Sequence, residues 1–139
     1  MTRLIAAVAV AALCSAPAVA QDAPTPLSLE LNALQPSDKG CRITLVASNG
    51  LGTAIDKSSF ELALFGATGG IDRLVSVDFK GLAVGKTKVL QFELTGLDCA
   101  AVTRVLINDV TACDGAGLDP AACAKNLVTS SRVDATFGV

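Results

Sequence analysis

Four cysteines, Cys41, Cys99, Cys113 and Cys123, are the residues in this sequence best placed to do chemistry. No two of them have the two-to-four-residue spacing of a zinc knuckle, and the chain contains no histidine, so a thiolate metal site lacks its usual partners. An even number of cysteines in a short exported chain reads as disulfides. Cys113 and Cys123 enclose nine residues of low apolar content. Closing that loop is worth about 2–3 kcal/mol in the chain-entropy model. The remaining pair, Cys41 with Cys99, closes a longer loop worth about 4 kcal/mol by the same reasoning.

Oxygen ligands form the second candidate. Asn108, Asp109, Asp114 and Asp119 are expected around one loop, within which Asp114-Gly115-Ala116-Gly117-Leu118-Asp119 resembles a short calcium loop. An EF-type loop needs more carboxylates and a terminal Glu. A disulfide loop whose Asp119 caps a helix explains the same residues. Without histidine, Ser and Cys nucleophiles have no base of the usual kind. With Met1 the sole methionine, copper has neither imidazole nor thioether ligands in the exported chain. The acidic residues fall singly on turns and outer strand faces, as solvated charges do, rather than as the paired carboxylates of a glycosidase. The glycines at 66, 69 and 70 suit a hairpin, not a phosphate cradle. The expectation is a non-enzyme with no cofactor and no metal.

The N-terminus sets the compartment. Arg3, an apolar run from Leu4 to Leu13 and the triplet Ala18-Val19-Ala20 make a Sec-type signal peptide over residues 1–20, cut before Gln21. The apolar run is too short to span a bilayer. Leu13 stands before Cys14 where a lipid-modified cysteine needs a small residue, so Cys14 leaves with the peptide. The expected location is the periplasm, with no stable membrane insertion after cleavage. Without Arg3, the eleven basic and thirteen acidic residues of the whole chain become a net charge of −3. The cations are scattered; Lys86, Lys88, Arg73 and Lys80 flank two strands as outward charges. Nucleic acid, which needs clustered cations, is excluded as a partner.

The elements that must position these groups are strands. After a tether over 21–26, Leu27, Leu29, Leu31 and Ala33 alternate with polar residues at period two, and the turn formers Gln35 to Gly40 end that run. A second strand runs from Cys41 to Ser48 and meets a positive-φ turn at Asn49-Gly50. The stretch from Leu51 to Ser58 crosses between sheets. Further strands are expected over 60–65, where Ala63 and Phe65 make the second face apolar too, and over 73–79, 88–94 and 103–108. A helical turn carries Cys99. Thr111 to Gly117 reads as a loop holding Cys113, and Asp119-Pro120 starts a short helix to Lys125. A last strand spans 128–137. Seven short strands with regular turn signals predict a single all-β domain over 27–139, a sandwich with one or two helical turns near its C-terminus.

The run from Ile43 to Gly52, the apolar strand from Phe60 to Phe65, the turn Leu82-Ala83-Val84-Gly85 and the strand from Val89 to Leu94 together resemble bacterial immunoglobulin-like modules of the cell-adhesion-related type. The likeness covers about half of the exported chain. Its Asn-Gly lacks the usual spacer, and the Cys113–Cys123 loop lies outside the pattern. The resemblance implies an immunoglobulin-like β-sandwich. More faintly, the chain resembles small uncharacterised exported proteins of Gram-negative bacteria encoded near Ton-type proton-channel components, which implies an accessory role in the envelope. The expected function is a periplasmic protein-binding or accessory module whose partner is another envelope protein. The alternative is a secreted hydrolase inhibitor acting through the Cys113–Cys123 loop; ligand binding between the sheets is disfavoured by the low aromatic content. The expected working surface is the tail carrying Asn108, Asp109, Asp114, Asp119 and Lys125. A thiol titration of the exported protein should find no free thiol before reduction and four after it; any free thiol in the oxidised protein contradicts the two-disulfide reading.

Overall fold

In a computed structural model, residues 26–139 are described. The expected signal peptide over 1–20 and the expected tether up to residue 25 lie outside the described residues. Alternating apolar residues build eight strands in two four-stranded sheets. One sheet has the order β5-β2-β1-β7, from β1 (Leu27–Ser37), β2 (Gly40–Asn49), β5 (Thr87–Thr95) and β7 (Leu127–Ser131). The other has the order β4-β3-β6-β8, from β3 (Ile55–Phe65), β4 (Ile71–Leu82), β6 (Arg104–Asp114) and β8 (Thr136–Gly138). A 3-10 turn (Cys99–Ala101) and one helix, α1 (Pro120–Lys125), complete the fold. It is an all-β sandwich closed by two disulfides, Cys41–Cys99 and Cys113–Cys123.

Leu29, Leu31, Ile43 and Leu45 of the first sheet face Phe60, Leu62, Leu64 and Val105 of the second, all fully buried. Phe60 and Phe79 meet edge to face at 6.0 Å between ring centroids. Each such side chain contributes about 1.5–3 kcal/mol by leaving water. The low aromatic content is therefore met by leucine and isoleucine.

Several boundaries differ from expectation, each for a bulge or a side-chain bond. β1 does not stop at the turn formers: a bulge between Leu31 and Ala33 shifts its phase, so Leu34 rather than Ala33 joins the core, and pairing continues to Ser37 opposite Gly40. Asn49-Gly50 does not turn with positive φ. Asn49 ends β2, and the chain crosses to the other sheet through residues 50–54. The crossing is shorter than expected, because β3 already begins at Ile55. Asn49 is buried and organises the crossing: its amide donates to the carbonyls of Thr53 and Leu82, and its oxygen accepts the N–H of Leu51. The expected strand over 128–137 divides into β7, parallel to β1, and β8, parallel to β6. At that division the Ser131 hydroxyl shares its one proton between the carbonyls of Ala135 and Val133 and accepts the Val133 N–H, fixing the bend by which the chain passes from one sheet to the other.

At one side of the sandwich, side chains stitch β4 to β5. The Lys88 ammonium donates to the carbonyls of Phe79 and Gly81, and the Arg73 guanidinium to that of Thr95. Lys80 pairs with Asp78. Three of the four cations flanking these strands are thus engaged within the fold. Asn49→Ala should lower stability by about 2–3 kcal/mol, because it strands buried carbonyls without donors; denaturant unfolding monitored by circular dichroism checks this, and a loss near zero would remove Asn49 from its organising role.

Candidate functional site

The tail is built on β6. Val105, Ile107 and Val110 point inward, and the step from two residues to three marks a bulge opposite Glu61 and Leu62. That bulge leaves both Asn108 and Asp109 exposed. A second bulge keeps β6 paired with β3 as far as Asp114 opposite Lys57. The expected loop from Thr111 is therefore strand up to Asp114, and Asn108, Asp109 and Asp114 lie along one strand instead of ringing a loop. Asn108 donates to the Glu61 carboxylate at 2.6 Å.

Asp119 caps α1 by accepting the Ala122 N–H at 2.7 Å, and Pro120 occupies the first turn. The Asn126 amide closes the other end on the Ala122 carbonyl, and Lys125 sits in the last turn, where the helix dipole favours a cation. Cys113 and Cys123 are buried beneath, with Cα atoms 6.3 Å apart, so the disulfide fastens α1 to the end of β6. The intervening loop lies against the sandwich: a Cβ at Gly115 would come within 2.6 Å of the Ala54 carbonyl oxygen. Among the described residues, no group of three or more His, Cys, Asp or Glu side chains is gathered to hold a metal ion.

What β6 does gather is a groove. On one side it pairs with β3 along its length; on the other it pairs with β8 over Arg104, Val105 and Leu106 alone. Beyond Leu106 no described strand is paired to that edge. A cavity of about 240 Å³ opens there, floored by Ile107, Val110 and Leu127, with Asn108, Asp109, Ala124 and the exposed Val139 at its margins. Of the five expected surface residues, two line this groove; Asp114, Asp119 and Lys125 do not. Leu127 and Val139 were not singled out from the sequence, because they reach the groove only once β7 and β8 have gone to opposite sheets. A second cavity of about 310 Å³ lies at the 3-10 turn, lined by Leu34, Val102, Val133 and Asp134 among others.

The two outer faces differ in chemistry. That of the β5-β2-β1-β7 sheet carries polar pairs, with Ser48 bonded to Thr87, Gln91 to Thr44, and Arg42 paired with Glu93, set among the exposed Val89 and Val128. The Asn32 amide donates to Glu30 and, helped by Arg132, holds the Glu30 carboxyl below its ordinary value of 4.5. The Lys80 ammonium and backbone N–H do the same for Asp78, below 3.8. The β4-β3-β6-β8 face instead exposes Ile71 and Leu74, with Phe65 and Leu106 half-buried beside them.

No family model, curated protein or solved structure matches the chain.

Two predictions follow from these contacts. Asp119→Ala should cost about 1 kcal/mol through loss of the helix cap, read as a lower denaturation midpoint; Asp119→Asn, which retains the acceptor, should recover most of it. A carboxylate whose folded pKa is depressed stabilises the fold above its unfolded pKa and loses that contribution as pH falls through the folded value. Stability should thus decline below pH 4.5, first through Glu30 and then Asp78. Glu30→Gln with Asp78→Asn should flatten that decline in a pH series of thermal midpoints; an unchanged slope would refute the assignment.

Proposed function

We propose that this chain is a non-catalytic protein-binding or accessory module of the periplasm, serving an envelope complex of the Ton type, and that it takes an extended segment of its partner along the open edge of β6. The observation that carries this reading is the groove beyond β8, where an unpaired strand edge lies beside apolar side chains. Strand addition uses such sites: backbone hydrogen bonds give affinity and alternate side chains fill pockets. Ile107, Val110 and Leu127 supply an apolar floor, and Asn108 and Asp109 polar contacts at the rim. The buried disulfides fit an oxidising compartment, in keeping with the signal-peptide pattern. The resemblance to exported proteins encoded beside Ton-type components supports the envelope setting.

A second reading, a secreted hydrolase inhibitor, is supported by the close packing of the Cys113–Cys123 loop at Gly115, beside which Ala116 and Gly117 are exposed. The two readings separate by experiment. A photoreactive residue placed at Asn108 should crosslink in cells to one envelope protein, and one at Val89, on the opposite sheet, should not. Equal labelling from both positions, or none from Asn108, would overturn the groove as the binding site. Inhibition of a lysozyme or protease, abolished by Ala116→Trp, would favour the second reading instead.

A further inference from the structure

The outer face of the β4-β3-β6-β8 sheet carries an arrangement that shares only Asp109 with the groove. Register places its outward residues in rows across the strands. Ile71, Phe65 and Arg104 form the first row; Leu74, Ala63 and Leu106 form the second; Ser76, Glu61 and Asp109 form the third. Ala63 points outward yet is 1% exposed, whereas Ile71 and Leu74 are 61% and 55% exposed. Ala63 is thus covered by its neighbours, and the accessible apolar surface is Ile71 and Leu74 on β4 with the half-buried Phe65 and Leu106 beside them. Its charge is ordered along the strands: Arg104, stacked over the Phe65 ring at 5.2 Å, stands at one end, and Glu61 and Asp109 stand at the other.

We infer that this face binds a second copy of the same chain, about a two-fold axis running across the strands at the level of Leu74, Ala63 and Leu106. A two-fold contact is self-complementary, so each group on one copy must suit the group it meets on the other. Rotation about this axis reverses strand direction and exchanges the first and third rows. Leu74 and Leu106 then meet their own counterparts on either side of the covered Ala63 positions. Arg104 of each copy meets Glu61 and Asp109 of the other. An axis running along the strands would instead set Arg104 against Ile71, leaving the acidic row facing itself. The charge order thus selects the first axis.

With strands about 4.8 Å apart and rows about 7 Å apart, the face buries on the order of 400 Å² per copy. A total near 800 Å² is below the roughly 1,200–2,000 Å² of a stable interface, so the dimer is weak and concentration-dependent. It leaves the apolar floor of the β6 groove open, because Ile107, Val110 and Leu127 lie at the edge of the sheet, and engages only Asp109 of the groove margin.

The test is sedimentation velocity on the disulfide-bonded chain from about 10 μM to 1 mM, with circular dichroism confirming that each variant is folded. The expected result is a rising dimer fraction, reduced at least tenfold in association constant by Leu74→Glu and unchanged by Val89→Glu on the other sheet. Arg104→Glu alone and Glu61→Lys with Asp109→Lys alone should each remain monomeric, since each sets like charges against one another. Mixing those two variants should restore association as a heterodimer, because every charged contact is then between opposites. A monomer throughout the concentration range, equal effects of Leu74→Glu and Val89→Glu, or no association in the mixture would each overturn the proposal. Loss of crosslinking at Asn108 without loss of the dimer would count against the groove alone, so the two readings fail separately.

Discussion

Leucine and isoleucine side chains from both sheets meet in a single layer, and the rest of the molecule depends on keeping that layer continuous while the chain changes sheets. Aliphatic side chains pack without directional bonds, so the layer itself does not dictate where the crossings occur. Polar groups do that. Asn49 is buried and saturates three backbone groups at the first crossing. Ser131 performs the corresponding task at the last one, where β7 gives way to β8. Each is a small polar side chain at the rim of the core, where a strand ending would otherwise leave backbone atoms dry and unpaired.

The disulfides fasten the two short helical elements to the sheets. Cys41–Cys99 draws the 3-10 turn onto the start of β2, and Cys113–Cys123 draws α1 onto the end of β6. Helix α1 is six residues long, too short to persist by its own hydrogen bonds. The disulfide, the Asp119 cap and the Asn126 bond hold it in place. That fixed helix sets Ala124 at the margin of the groove.

How much of this was legible in the sequence depends on the range of the interaction concerned. Alternation set out most strands, because a half-buried strand writes its two faces into neighbouring residues. It misplaced ends wherever a bulge intervened. The shift after Leu31 and the three-residue step from Ile107 to Val110 both put the next apolar residue out of phase. The second of these was visible in the sequence as a break in period. The structure brings together only two of the five residues expected to form a working surface. Asn108 and Asp109 do line the groove, while Asp114, Asp119 and Lys125 serve the strand end and the helix.

By itself the sequence determined the two-layer all-β architecture, the aliphatic nature of the core, the short helix at Asp119-Pro120 and a cysteine set suited to two bonds. These follow from periodicity, capping chemistry and counting, all of which act over a few residues. Only the tertiary structure decided that β7 and β8 part to opposite sheets, that β6 keeps one edge open, and that one outer face sets Ile71 and Leu74 beside charges ordered end to end. Those features join residues such as Phe65, Leu74 and Arg104, which are remote in the chain and neighbours only across strands. Pairing register is set by the whole sandwich, and no local stretch encodes it.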